Sequence, residues 1–107
     1  MALTRDFKET VYARAQRDKR FRQALFTEAL NLYLQGDVET GKAVLRDLIN
    51  ATIGFEALAL QINKPSKSVH RMLAPSGNPT TENFFAILKA LQTNTGVRLE
   101  AKVKLAA

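Results

Sequence analysis

Apolar residues recur at helical spacing through most of this chain and switch, near its end, to strict alternation. Thr4 is placed to cap a first helix running to about Arg17, with Phe7, Val11, Tyr12 and Ala15 as a narrow apolar stripe. Asp18 opens a longer second helix. On it Phe21, Ala24, Leu25, Ala29 and Leu32 form one face, Phe26, Leu30, Tyr33 and Leu34 widen that face, and Gly36 ends the helix. So wide a stripe calls for cover on two sides, from helices 1 and 3 or, in part, from a second subunit. Asp37 caps a third helix, Val38 to about Ala51. There Val44, Leu45, Leu48, Ile49 and Thr52 are read as inward, and Lys42, Arg46 and Asp47 as outward.

The stretch that organises the rest is 54–73, GFEALALQINKPSKSVHRML. Phe55, Leu58, Ala59 and Ile62 fall at i, i+3, i+4, i+7 on one short helix. Asn63, Lys64 and Pro65 break it, because Asn tolerates a left-handed turn and Pro suits the first position of a new helix. In that helix, to about Leu73, Val69, Met72 and Leu73 share a face. At 100° per residue, Lys67 and Arg71 then project from the opposite side, flanked by Ser68 and His70. No acidic residue occurs from Ala57 to Thr81.

The run Ala74-Pro-Ser-Gly-Asn-Pro79 reads as a loop of defined shape, and Thr80 or Thr81 caps a last helix ending before Thr93, with Phe84, Phe85, Ile87, Leu88 and Leu91 on its core side. In Val97–Leu105 every odd position is apolar and every even one charged, which predicts a half-buried strand. A lone strand leaves its backbone unpaired and wants the strand of another chain. The expected fold is therefore all-α: five to six helices with a short C-terminal β-strand, in one domain. Its parts are N-terminal helices (1–36), a helix-turn-helix core (37–93) and a strand tail (94–107).

Composition narrows the chemistry. The chain has 107 residues and 46% apolar content, enough for a core without disulfides or metal. Net charge is +6, and it is uneven. Residues 1–53 carry nine Lys/Arg against seven Asp/Glu, a net +2, and 54–107 carry seven against three, a net +4. An acidic partner such as nucleic acid is implied. With no cysteine, a single histidine (His70) and no pair of carboxylates set in an apolar or Gly-rich context, neither an enzyme nor a metal site is expected. The scattered glycines give no phosphate loop or dinucleotide fingerprint, so no cofactor is expected either. The N-terminus, MALTRDFKETVYARAQRDKR, lacks the apolar run of a secretory signal, and no transmembrane stretch occurs, so a cytoplasmic protein is expected.

Thr40–Ala59 (TGKAVLRDLINATIGFEALA), the turn and basic helix, the SGNP loop at Ser76–Pro79 and the helix Asn83–Leu91 followed by GVRLE together resemble a family. It is that of small bacterial helix-turn-helix regulators related to HigA-like addiction-module antitoxins and to phage-repressor-like DNA-binding domains. The chain differs from such regulators at the turn. Asn63 stands where Gly is usual, Lys64 where an apolar residue is usual, and Pro65 where a Ser cap is usual. The resemblance implies that the second helix of the motif enters the major groove of double-stranded DNA and brings Ser66, Lys67, Ser68, His70 and Arg71 to it. On that reading Lys67, His70 and Arg71 meet base edges while Lys64, Ser66, Ser68 and the Asn78 loop meet phosphates. The expected function is that of a dimeric, sequence-specific transcriptional regulator that acts as a repressor. The alternative is an antitoxin that neutralises a partner toxin through its N-terminal helices or its tail.

Overall fold

Three polar caps and a few residues of positive φ divide the periodic sequence into helices. In a computed structural model describing residues 5–107, six helices follow one another: α1 (Arg5–Arg17), α2 (Lys19–Leu34), α3 (Val38–Ala51), α4 (Phe55–Gln61), α5 (Ser66–Met72) and α6 (Thr81–Thr95). The cap expected at Thr4 lies outside the described residues. The Asp18 carboxylate accepts from the N–H groups of Arg20 and Phe21 at 3.0 and 3.1 Å. The Phe21 N–H, with help from Arg14, holds its pKa below the usual carboxylate value. Asp37 accepts from Thr40 N–H, and Thr80 Oγ1 from Asn83 N–H.

The α4–α5 turn shows how little sequence is needed to end one helix and begin another. Asn63 adopts φ 58°, Lys64 N–H donates to Ala59 O at 2.9 Å, and Asn63 N–H donates to Leu60 O at 3.2 Å. This is the paired closure of a Schellman motif, with Asn in the place glycine often takes. Pro65 then stands as the cap rather than the first helical residue, and α5 starts at Ser66.

Phe26 and Ala29 of α2, Leu45, Leu48 and Ile49 of α3, Leu58 of α4, Val69 and Leu73 at α5, and Ile87 and Leu91 of α6 form one buried cluster. α3 lies chiefly against α2 and also meets α1 and α4, and α6 closes over α4 and α2. α3, α1 and α6 thus cover part of the wide face of α2. Four residues read as part of the helices' apolar faces are exposed, Phe7 and Ala24 among them. Leu34 is 84% exposed and Phe85 is 62% exposed, because each lies at the rim of α2 and α6 where neither helix has a neighbour to cover it. α6 also runs on through Thr95, past the expected stop at Thr93, and ends at Gly96 in the left-handed conformation. Among the described residues no helix is long and apolar enough to cross a membrane.

Two further expectations are corrected. No strand occurs among the described residues, and 97–107 has no regular secondary structure, since a β-ladder needs a neighbouring strand and the described residues supply none. Lys42, expected to face outward, is fully buried. Its ammonium donates to the carbonyls of Ala74, Pro75 and Gly77 at 3.1, 3.3 and 2.7 Å and lies 2.8 Å from the Glu39 carboxylate. Four oxygens replace the water a buried charge would otherwise lose.

Lys42→Met keeps the aliphatic stem and takes the charged donor away from all three loop carbonyls, of which Ala74 O alone retains a backbone partner, the Gly77 N–H. Urea denaturation should show a loss on the order of 3 kcal/mol, from hydrogen bonds to a charged group and the orphaned acceptors. A loss below about 1 kcal/mol would mean that water takes over the ammonium's role.

Candidate nucleic-acid interface

Helix α5 is short, and what fixes its direction is contact at both ends. Its inner face is Val69 and Leu73, both fully buried, with Met72 half-buried against the core. At its start, the Schellman turn and Pro65 set where the chain leaves α4. At its end, the carbonyls left without helical partners are taken by two cations of α3. Arg46 Nη1 donates to Leu73 O, and Lys42 donates to the three loop carbonyls that follow. Lys42 and Arg46 stand one turn apart, so α3 holds the end of α5 and the Ala74–Pro79 loop as a single unit.

The loop fits against α5 without room for a side chain at one point. A Cβ at Gly77 would lie 1.9 Å from the carbonyl oxygen of Arg71. Gly77 therefore fixes the backbone of Arg71 from behind while the Arg71 side chain faces solvent. Ser68, Arg71, Met72, Gly77 and Asn78 line a shallow depression of about 270 Å³. Three residues singled out in the sequence, Ser68, Arg71 and Asn78, thus share one surface.

The remaining candidates are not part of the depression's lining. Lys64 is exposed at the turn, Lys67 is exposed one helical turn before Arg71, and Ser66 is half-buried at the helix start. His70 is exposed but not free to swing. Its ring stacks on buried Phe55 of α4, with centroids 4.0 Å apart and planes at 19°. Arg71 and Lys67 present the outermost cations of α5, and no acid within 57–81 offsets them. The surface can bind an anion and supply donors; among the described residues no cluster of His, Cys, Asp or Glu is placed to hold a metal ion.

What sequence reasoning missed is the support of this surface: the roles of Lys42 and Arg46, the seat of Gly77 on Arg71 and Phe55 as a stacking partner. Lys42 had a signal. It precedes Ile49 by seven positions, about 20° away around the helix, and so lies on the apolar stripe of α3. Comparison with protein-family models, with characterised proteins and with solved structures gives no match.

Gly77→Ala forces the loop off Arg71 and should cost about 1–3 kcal/mol in thermal or urea unfolding, the range for overpacking a tight contact. Ser76→Ala, at an exposed neighbour, should leave stability unchanged. Equal stability of the two variants would show that the loop relaxes freely and that the close approach constrains nothing.

Proposed function

We propose that the protein is a sequence-specific DNA-binding transcriptional regulator, acting as a dimeric repressor, with α4, its turn and α5 serving as a phage-repressor-like helix-turn-helix. The observation that carries this reading is the acid-free outer face of α5, with Lys67 and Arg71 outermost on a helix clamped from behind by Lys42 and Arg46.

Each side chain has a task suited to its chemistry. The planar guanidinium of Arg71 matches the O6 and N7 acceptors of guanine in the major groove, and Lys67 offers a point donor one turn away. His70, held flat on Phe55, presents a ring edge in a fixed position. Lys64, Ser66, Ser68 and Asn78 surround these residues and meet phosphates, which set register without reading sequence. Because α5 and the loop are already held together, little conformational freedom remains to be lost on docking. Two copies with α5 helices roughly 34 Å apart would read two half-sites one DNA turn apart.

Titration of the parent and two variants against selected and random duplexes tests the reading. Arg71→Ala should weaken the selected site by roughly 1–3 kcal/mol and relax preference at one base pair, whereas Lys64→Ala should weaken both duplexes alike and flatten the salt dependence by about one ion. If both variants bind both duplexes as tightly as the parent, the basic face is solvated surface only.

A further inference from the structure

An apolar groove of about 650 Å³ runs between α2 and α6, walled by Leu30 and Leu34 on one side and Phe85 and Leu88 on the other, with Leu99 and Ala101 of the tail along its edge. The tail enters it with a period of two. Val97 and Leu99 are half-buried, and Arg98 and Glu100 are exposed. Leu99 N–H donates to Gln92 Oε1 at 2.9 Å, which pins the tail to α6. Farther on the alternation continues with nothing beneath it, and Val103 and Leu105 are 95% and 99% exposed.

The groove walls are helices, whose backbone groups are already bonded internally, so they cannot pair with the tail's backbone. Only another extended segment can, and among the described residues of this chain there is no strand. We infer that residues 97–105 form a self-association strand: two copies pair their tails antiparallel with Ala101 opposite Ala101, and each copy's Val103 and Leu105 fill the other's groove. This deepens the dimeric reading above and rests on it.

Charge selects that register. Three registers keep the apolar positions on one face and pair at least seven of the nine residues, those centred on 100, 101 or 102. Centring on 100 sets Glu100 against Glu100, and centring on 102 sets Lys102 against Lys102. Centring on Ala101 puts Glu100 opposite the second copy's Lys102 twice, Leu99 opposite Val103 and Val97 opposite Leu105. Its like-charged pairing, Arg98 with Lys104, also occurs twice but falls at the ribbon's ends, and Arg98 is already ion-paired with Glu100. The small side chain lies at the two-fold axis. A two-stranded ribbon alone is marginal, and the groove supplies the apolar surface that it needs.

Sedimentation equilibrium of the full chain without DNA tests the pairing. The parent should dimerise at micromolar concentration. Glu100→Lys and Lys102→Glu should each raise the dissociation constant roughly five- to tenfold, from two cross-strand pairs made repulsive, and the double variant should return to within about twofold of the parent. These positions are exposed, so folding is unaffected, and the double variant does not rebuild the Arg98 ion pair, so recovery reports the contact between copies. The chain has no cysteine, so Ala101→Cys should oxidise to a covalent dimer and Lys102→Cys should not. A monomeric parent, a double variant as weak as the singles, or preferential crosslinking at 102 overturns the inference. With the pairing intact, failure to prefer any duplex would strike the regulator reading alone.

Discussion

One buried ammonium organises this molecule. Lys42 reaches from α3 to three carbonyls of the Ala74–Gly77 loop, just beyond the end of α5. A buried cation is costly unless its hydrogen bonds are made, and here all of its donors face oxygen. The cost makes the arrangement selective: a loop of any other shape would leave the charge unsatisfied. Arg46 extends the same grip to Leu73 O, so the last turn of α5 is held in register with α3 rather than by its own short length. Seven residues are too few to define a helix axis, and α3 defines it for them.

The sequence announced the helices because their signals are local. Asp18, Asp37 and Thr80 cap as their chemistry requires, and Asn63 takes the left-handed turn that its side chain permits. The inner face of α5 was equally legible, since Val69 and Leu73 share an angle and both are buried. What escaped was non-local. Lys42 lies on the apolar stripe of α3, but residue type argued for water, and the carbonyls that repay its burial come from more than thirty positions away. The tight seat of Gly77 on Arg71 O likewise joins segments whose proximity no periodicity encodes.

The tail fails as a strand for a related reason. Its alternation is as regular as any pattern in the chain, yet a strand is a property of two segments, and periodicity speaks for one. Within a single copy the pattern survives only as alternating burial at Val97 and Leu99, after which the apolar side chains have no surface to meet. Leu34 and Phe85, misjudged as core, border the groove that lies beside this same tail. The helical pattern of α2 and α6 and the two-residue pattern of the tail therefore point to one surface. What looked like separate errors in core assignment share a location.

Net charge also divides by task once the contacts are known. Lys42 and Arg46 hold carbonyls at the end of α5, and Arg22 donates to the carbonyls of Ala15 and Thr95, tying α2 to the ends of α1 and α6. These cations stabilise the fold by completing helix ends and have little reach into solvent. Lys64, Lys67 and Arg71 are exposed, carry no such obligation and sit where no acid is nearby in sequence. The formal excess of positive charge is thus a poor measure of what an anionic partner would meet. The relevant field comes from a few side chains on α5 and its turn, held in place by cations that face the other way.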